Sequence, residues 1–247
     1  DLSKETDDQL IARLSAPNDF IRHTSQRLLS ERDTPQVRSK LLAYVSDAKV
    51  TDPGWTHGIW ALAGTTLPPP TRHPSNWFSI LNNSPNSIMR SWSVRLACRF
   101  PEWNTCFEPS MARKQPPDVA LQYAIAAAKL DDTFTKINTL LTILSEHGQD
   151  KLIPHIVWQN LHPLLEDHAE DFLRDVEFRF VTPSVAAIAP RSMERILARK
   201  TFSAQAVADL FAALRDRART EAPARECLQL LAARVQSGEL RGQRLAQ

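Results

Sequence analysis

Four side chains that could bind a metal ion lie at helical spacing in the second half of the chain: His155, Gln159, His162 and Glu166. They would share one face of a helix that continued through Pro163, and zinc or iron accepts such ligands. However, seven residues of helix separate His155 from His162 by about 10 Å, which is too far for one ion to bind both. The HExxH spacing is also absent. Since Pro154 and Pro163 favour helix ends and turns, we predict structural or solvent-exposed roles for these histidines. A metal or haem site remains the alternative, with His155, His162 and His168 as the first residues to mutate.

The other residue types that carry chemistry show no catalytic pattern. No Ser, Cys or Lys lies in a nucleophile motif, and GxSxG is absent. The cysteines, Cys98, Cys106 and Cys227, lack CxxC spacing, which excludes a zinc ribbon or a redox dithiol. We interpret them as free thiols, with a Cys98–Cys106 disulfide in an oxidising compartment as the alternative. Carboxylate pairs such as Asp131 and Asp132 are typical of helix starts. The sequence therefore predicts no catalytic, metal-binding or cofactor-binding residues.

Composition excludes several classes of function. The 247 residues include 6 glycines and 17 prolines, and glycine is what phosphate loops, dinucleotide turns and tight hairpins require. The formal net charge of +2 is too balanced for a chain whose main task is to bind polyphosphate. No run of about 18 apolar residues occurs, so we expect no membrane insertion.

Helices account for the whole pattern of apolar residues. Prolines recur at intervals that suit short helices joined by short turns, and between them apolar residues repeat every three to four positions. Such stripes begin with Leu10, Phe20, Val37 and Ile59 and continue over residues 92–97, 119–130, 137–144, 153–165, 185–197, 207–214 and 224–235. No segment alternates with period two for long enough to form a sheet. We predict an all-α fold, with residues 68–74 and 101–117 as the longest irregular connections.

Two segments of the chain, 17–29 and 85–97, resemble each other. Their alignment pairs Pro17 with Pro85, Asn18 with Asn86, Arg22 with Arg90, Ser25 with Ser93, Arg27 with Arg95 and Leu28 with Leu96. The two segments are 68 positions apart. A step of half that length, 34 residues, leads from Leu28 to Leu62, Leu96, Leu130, Leu164, Ala198 and Ala232, which supports a repeat only weakly. We expect the asparagines to cap helices, the serines to lie at close crossings, and Arg22 and Arg90 to bridge carbonyls or an acidic group of the neighbouring repeat. Ile21 and Met89 should face inward. The pattern resembles the second helix of HEAT repeats and predicts a HEAT/ARM-like α-solenoid of about six helix pairs.

Tryptophans cluster in the first half of the chain, at positions 55, 60, 77, 92 and 103. Large rings at helical spacing favour core packing, and an aromatic groove for a partner or ligand is the alternative. Gly54, Gly58 and Gly64 accompany Trp55 and Trp60, which predicts a close helix crossing.

A closer resemblance covers most of the chain as far as Leu165. Three segments carry it: DLSKETDDQLIARLSAPNDFIRHTSQRLLSER (1–32), THGIWALAG (56–64) and DKLIPHIVWQNLHPLL (150–165). They resemble the HEAT-repeat region of large bacterial secreted proteins that are described as membrane-bound dehydrogenases or haem-binding multidomain proteins. The resemblance implies a helical scaffold in a periplasmic or other extracytoplasmic setting. The propeller and the CxxCH cytochrome c domain of that family are absent from these residues, so their oxidoreductase chemistry does not carry over.

These observations predict a non-catalytic helical-repeat scaffold or protein-interaction domain over residues 1–235, followed by a polar linker or tail over 236–247. The expected partner is another protein or a neighbouring domain of a longer parent chain, an extracytoplasmic dehydrogenase-like protein. The alternative is a DNA-binding HEAT-like protein of the alkylpurine DNA glycosylase type, since residues 191–247 hold eleven Lys and Arg against six Asp and Glu. A solvated charged face accounts for that modest excess, and no stretch combines stacked aromatics with a dense basic run.

Overall fold

The computed structural model describes residues 1–47, 49–50, 52–66, 82–100, 108–178, 182–198, 204–217 and 221–240. Throughout these residues the regular structure is helical and contains no strand, which confirms the all-α prediction. The chain forms two compact units, Asp1–Phe107 and Glu108–Gln247.

The first unit contains a short 3₁₀ turn and five described α-helices: Leu2–Lys4, then α1 (Asp7–Arg13), α2 (Asp19–Arg32), α3 (Pro35–Ser46), α4 (Asp52–Ala63) and α5 (Ser87–Ala97). Within this unit α1 packs on α2 and α3, whereas α4 packs on α2, α3 and α5. The core between these helices is built from Leu10, Leu14, Leu29, Val37, Leu41, Val45, Trp55, Ile59, Ala61, Leu62, Leu96 and Phe100.

Side-chain caps set the starts of α1, α2, α3 and α5. Thr6 caps α1 in a reciprocal pair with Gln9, as a capping box requires. Asn18 and Asn86 accept backbone N–H bonds from Ile21 at 3.4 Å and Ile88 at 2.9 Å, so the predicted asparagine caps of α2 and α5 are confirmed.

The second unit begins with a 3₁₀ turn, Pro109–Ala112, and continues with α6 (Pro117–Ala127), α7 (Thr133–His147), α8 (Ile153–Leu161), α9 (Leu164–Asp167), α10 (Ala169–Phe178), α11 (Pro183–Ala186), α12 (Ala189–Leu197), α13 (Ala204–Arg217) and α14 (Ala222–Gln236). Helices α6, α7 and α8 pack on one another, α10 packs on α13, and α12 packs on α14. Asp132 caps α7 by accepting the Thr135 N–H at 2.8 Å.

The helices differ from the apolar stripes of the sequence in three places. The stripe over 153–165 is two helices, because Pro163 lacks the N–H that an uninterrupted helix needs. The stripe over 185–197 is also divided, between α11 and α12. Helix α10 was not predicted, although Phe172, Leu173 and Val176 give it a buried face. The expected connection at 68–74 lies outside the described residues.

Several predicted packing features can be checked directly. A Cβ atom added at Gly58 would lie 2.7 Å from Val45 Cγ1, and one at Gly54 would lie 2.1 Å from Ser15 Oγ, so α4 crosses its neighbours closely, as predicted.

At the other end of the chain Gly238 has φ 77°, a value that favours glycine, and Leu240 is buried. The packed chain therefore extends at least to residue 240.

Candidate functional site

The histidines singled out from the sequence do not converge. His155 lies in the first turn of α8 and His162 follows its last residue, so the predicted positions at helix ends are confirmed. His155 Nε2 lies 3.1 Å from Gln159 Nε2, and the His162 ring contacts Trp158 with centroids 5.8 Å apart. Glu166 lies in α9, beyond the break at Pro163, with its Oε1 3.6 Å from Arg195 Nη1. His168 is 3.7 Å from Asp171.

A different group comes together in the first unit: Asp19, His23 and His57. Among the described residues it is the one set of three His, Cys, Asp or Glu side chains with ligand atoms close enough for one metal ion, all within 4.8 Å of one another. Sequence analysis missed it. Two signals were available: Asp19 and His23 are one helical turn apart, hence on one face of α2, and His23 and His57 are separated by the same step that leads from Leu28 to Leu62.

The elements that carry the group explain its position. Asp19 is the first residue of α2, directly after the Asn18 cap, and His23 follows one turn later. His57 lies in α4, which packs along α2. The packing of α4 on α2 thus brings the two imidazoles together edge to face, with ring centroids 4.7 Å apart and planes at 89°.

The three side chains differ in burial and contacts. His57 is 4% exposed, whereas Asp19 and His23 are solvent-exposed. His23 Nε2 lies 3.4 Å from Asp19 Oδ2, and His57 Nε2 lies 3.9 Å from Asp19 Oδ1. Oδ1 also accepts a 2.6 Å bond from Arg22 Nη2. Arg22 therefore fixes one carboxylate oxygen and leaves the other facing His23.

A hydrogen bond sets the orientation of the buried imidazole. His57 Nδ1 lies 2.8 Å from Gln26 Oε1. Because an amide oxygen only accepts, Nδ1 carries the proton in this arrangement and Nε2 carries the lone pair. Burial is the first cause that lowers the pKa of His57, followed by the charges of His23 and Arg22, and Asp19 opposes them. The ring is therefore neutral at neutral pH.

An aromatic surface adjoins this group. The Trp60 ring contacts His57 edge-on at 5.2 Å and Trp92 at 5.7 Å, and the Arg95 guanidinium lies 4.7 Å from the centre of the Trp92 ring. Trp55 is 2% exposed, which confirms core packing there, but Trp60 and Trp92 are only half-buried. Trp77 and Trp103 lie outside the described residues.

A shallow groove runs between α2 and the end of α4 beside Trp60. Its volume is about 490 Å³, and its lining residues are Gln26, Arg27, Ser30, Glu31, Asp33, Trp60, Gly64 and Thr66. The two half-buried tryptophans, Arg95 and this groove together make a continuous polar and aromatic surface on α2, α4 and α5, which we name the tryptophan face.

The two similar segments, 17–29 and 85–97, share an arginine contact and a buried serine. Arg22 Nη1 donates to the carbonyl of Ala16 at 2.8 Å, and Arg90 Nη1 donates to that of Ser84, in both cases six positions earlier. Ser25 and Ser93 are fully buried, as expected for close crossings. The two arginines were predicted to bridge to a neighbouring repeat. Both arginines do bond to carbonyls, but those of Ala16 and Ser84 belong to the turn before each helix. The predicted bridge to a neighbouring repeat is therefore wrong for their described hydrogen bonds.

The regular step that starts at Leu28 holds over part of the chain. On this step Leu62, Leu96 and Leu130 are buried and Leu28 is half-buried. Ile21 and Met89, which were predicted separately to face inward, are half-buried. Leu164 is also half-buried, but Ala198 and Ala232 are exposed. The step therefore coincides with burial in the first unit and loses that correlation near the end of the chain.

The remaining predicted sites have structural explanations. Burial is the main cause that raises the pKa of Cys227 to about 12, with a further contribution from Glu226, so this thiol is not a nucleophile at neutral pH. Cys106 lies outside the described residues. Whether Cys98 and Cys106 are free thiols or form a disulfide therefore stays a prediction.

Comparisons with protein-family models, curated proteins and solved structures find no match to this chain. None of the helices in the described ranges is long and apolar enough to cross a membrane. The described residues thus form an all-α protein in which the tryptophan face adjoins the group of Asp19, His23 and His57.

Proposed function

We propose that this chain is a non-catalytic helical-repeat scaffold that binds a protein partner through the tryptophan face. The observation that carries the proposal is the structural equivalence of α2 and α5, which share an asparagine cap, an arginine bonded six positions back and a buried serine. Helix α4 lies between them in sequence and packs on both. Such stacking of equivalent helices is the basis of a HEAT/ARM-like α-solenoid.

The side chains on the tryptophan face suit a protein partner. Trp and Arg are enriched among the residues that dominate protein–protein binding energy, and Trp60, Trp92 and Arg95 are adjacent here. A half-buried tryptophan retains apolar surface that a partner can cover, while the core already fixes its orientation.

The charges of this face favour protein over nucleic acid. On this face Arg27 is paired with Glu31 at 2.7 Å, and beside it on α2 Arg22 is paired with Asp19 at 2.6 Å. Carboxylates next to cations oppose the approach of phosphates, which supply most of the affinity for DNA. We therefore keep a DNA-binding function of the glycosylase type as the alternative proposal, which the DNA-binding experiment below tests.

The resemblance to the helical region of the bacterial dehydrogenase-type proteins extends the proposal. In that setting the chain holds neighbouring domains of an extracytoplasmic parent protein at a fixed separation, or presents its tryptophan face to another protein. The segments that carry this resemblance, 1–32, 56–64 and 150–165, include α1, α2, most of α4 and α8.

Site-specific photo-cross-linking tests the proposal. A photo-reactive residue at position 95 lies beside Trp92 on the tryptophan face. One at position 40 is a matched control, because the Lys40 side chain on α3 is 41% exposed and pairs with Asp8 of α1. We expect a discrete protein adduct from position 95 that Trp92→Ala removes, and none from position 40. Equal labelling at both positions, or none at either, would contradict the proposal.

Duplex DNA binding at about 50 and 200 mM salt separates the two functions. For the scaffold we expect no binding and no salt dependence. Micromolar or tighter binding that falls steeply with salt would favour the DNA-binding function, because phosphate contacts release counterions.

A further inference from the structure

The group of Asp19, His23 and His57 has the ligands of a transition-metal site. Two imidazoles and one carboxylate are a common donor set for divalent ions of the zinc type. From the sequence we expected a chain without a metal ion, because we took only the histidines at 155, 162 and 168 as candidate ligands. From the convergence of these side chains we propose that Asp19, His23 and His57 bind one Zn²⁺ ion, or a similar divalent transition metal.

The distances suit a single ion. With bonds of about 2.1 Å, the ligand atoms of a tetrahedral zinc lie roughly 3.4 Å apart. Asp19 Oδ2 and His23 Nε2 are already 3.4 Å apart. The largest separation in the group is within 4.8 Å, and the exposed side chains of Asp19 and His23 can close it by rotation.

The surroundings of His57 Nε2 favour a cation. Gln26 accepts the Nδ1 proton, so the Nε2 lone pair faces Asp19 Oδ1 at 3.9 Å, which is too long for a hydrogen bond. Among the described residues, none donates a hydrogen bond to this nitrogen. A lone pair that faces a carboxylate is unfavourable without a bound proton or metal ion, and a neutral imidazole is the form that binds metals.

The residues around the three ligands resemble an outer coordination shell. Metal-binding histidines usually donate their second N–H to an oxygen acceptor, which is the role of Gln26. Arg22 binds one oxygen of Asp19 and leaves the other for the ion. Its positive charge weakens binding, so we expect a moderate affinity.

Three protein ligands leave a fourth position open. Because Asp19 and His23 are exposed while His57 is buried, the open position faces solvent beside Trp60. Water or a side chain of a partner can complete the coordination. The metal site itself does not depend on the proposed scaffold function.

Isothermal titration of the tag-free full chain with Zn²⁺ tests the site. We expect one equivalent to bind with micromolar or tighter affinity. His23→Ala should lower the affinity at least tenfold, and it should fold normally because His23 is exposed. Gln26→Ala should lower the affinity about tenfold, the effect typical of lost outer-shell partners.

His155→Ala is the matched control, because His155 is also a helical histidine with a polar neighbour one turn away. It should leave the affinity unchanged. Co²⁺ in place of Zn²⁺ should give intense visible absorption bands that disappear in His23→Ala. The proposal is overturned by a wild-type chain that binds no stoichiometric zinc, or by binding that survives His23→Ala unchanged.

Discussion

Replacing Asp33 with alanine should destabilise the first unit strongly. Asp33 follows the last residue of α2 with φ 37°. Its Oδ1 accepts a 2.6 Å bond from Arg38 Nη1, and its Oδ2 accepts the N–H of Thr66 at 2.8 Å and the Thr66 hydroxyl. One carboxylate thus connects the end of α2, the start of α3 and the residues after α4.

Burial determines the size of the effect. The side chains of Arg38 and Asp33 are 7% and 15% exposed. Removing one partner of a buried pair costs about 3–5 kcal/mol. The Asp33 carbonyl still accepts from Arg38 at 2.9 Å, which reduces the loss, whereas alanine tolerates a positive φ less well than aspartate. We expect Asp33→Ala to lower the free energy of unfolding by about 3 kcal/mol.

Lys40 and Asp8 provide the matched control, with a 2.7 Å ion pair whose side chains are 41% and 75% exposed. Asp8→Ala should lower stability by less than about 1 kcal/mol, since solvent screens the pair. Asp33→Asn should lie between the two alanine variants, because it keeps an acceptor oxygen and tolerates the backbone conformation.

Urea unfolding followed by tryptophan fluorescence measures these differences. Five of the 6 tryptophans lie between positions 55 and 103, so the signal reports mainly on the first unit. An Asp33→Ala variant no more destabilised than Asp8→Ala would contradict the stabilising role of this carboxylate.

The pH dependence gives a second check on Asp33. Burial raises its pKa, but the bonds from Thr66 and Arg38 outweigh burial and hold it below the usual 3.8. A lowered pKa contributes stability above the unfolded value, and this contribution is lost as the pH falls through the folded value. The difference between wild type and Asp33→Ala should therefore shrink below about pH 4.

Three further outcomes can be measured. Gly58→Ala should destabilise by about 1–3 kcal/mol in urea unfolding, because its Cβ would meet Val45; exposed helical Gly→Ala changes normally stabilise, and a stabilised variant would refute the close crossing. Asp132→Ala should lower stability by about 1 kcal/mol through loss of the α7 cap, with the adjacent exposed Asp131→Ala as a near-neutral control. Cys227 should resist iodoacetamide at pH 8 in the native protein and react after unfolding, as peptide mass mapping can show; rapid native labelling would contradict its burial.

Local features of the sequence were sufficient for the fold class and most helix positions. Asn18 and Asn86 cap helices because their side chains act within the first turn after their own backbone. Pro163 ends a helix for an equally local reason. The apolar stripe over 153–165 does not show this division, whereas Pro163, which favours helix ends, does.

The sequence by itself determined the elements whose causes lie within one helical turn: the helices, their caps, the separation of His155 from His162, and the likeness of α2 to α5. Only the tertiary structure decided which side chains meet. His23 and His57 are distant in sequence and become neighbours because α4 packs along α2, and Trp60 and Trp92 remain half-buried while Trp55 enters the core. A periodic pattern places residues on a face, but the partner of that face depends on packing between helices far apart along the chain, which no local pattern specifies.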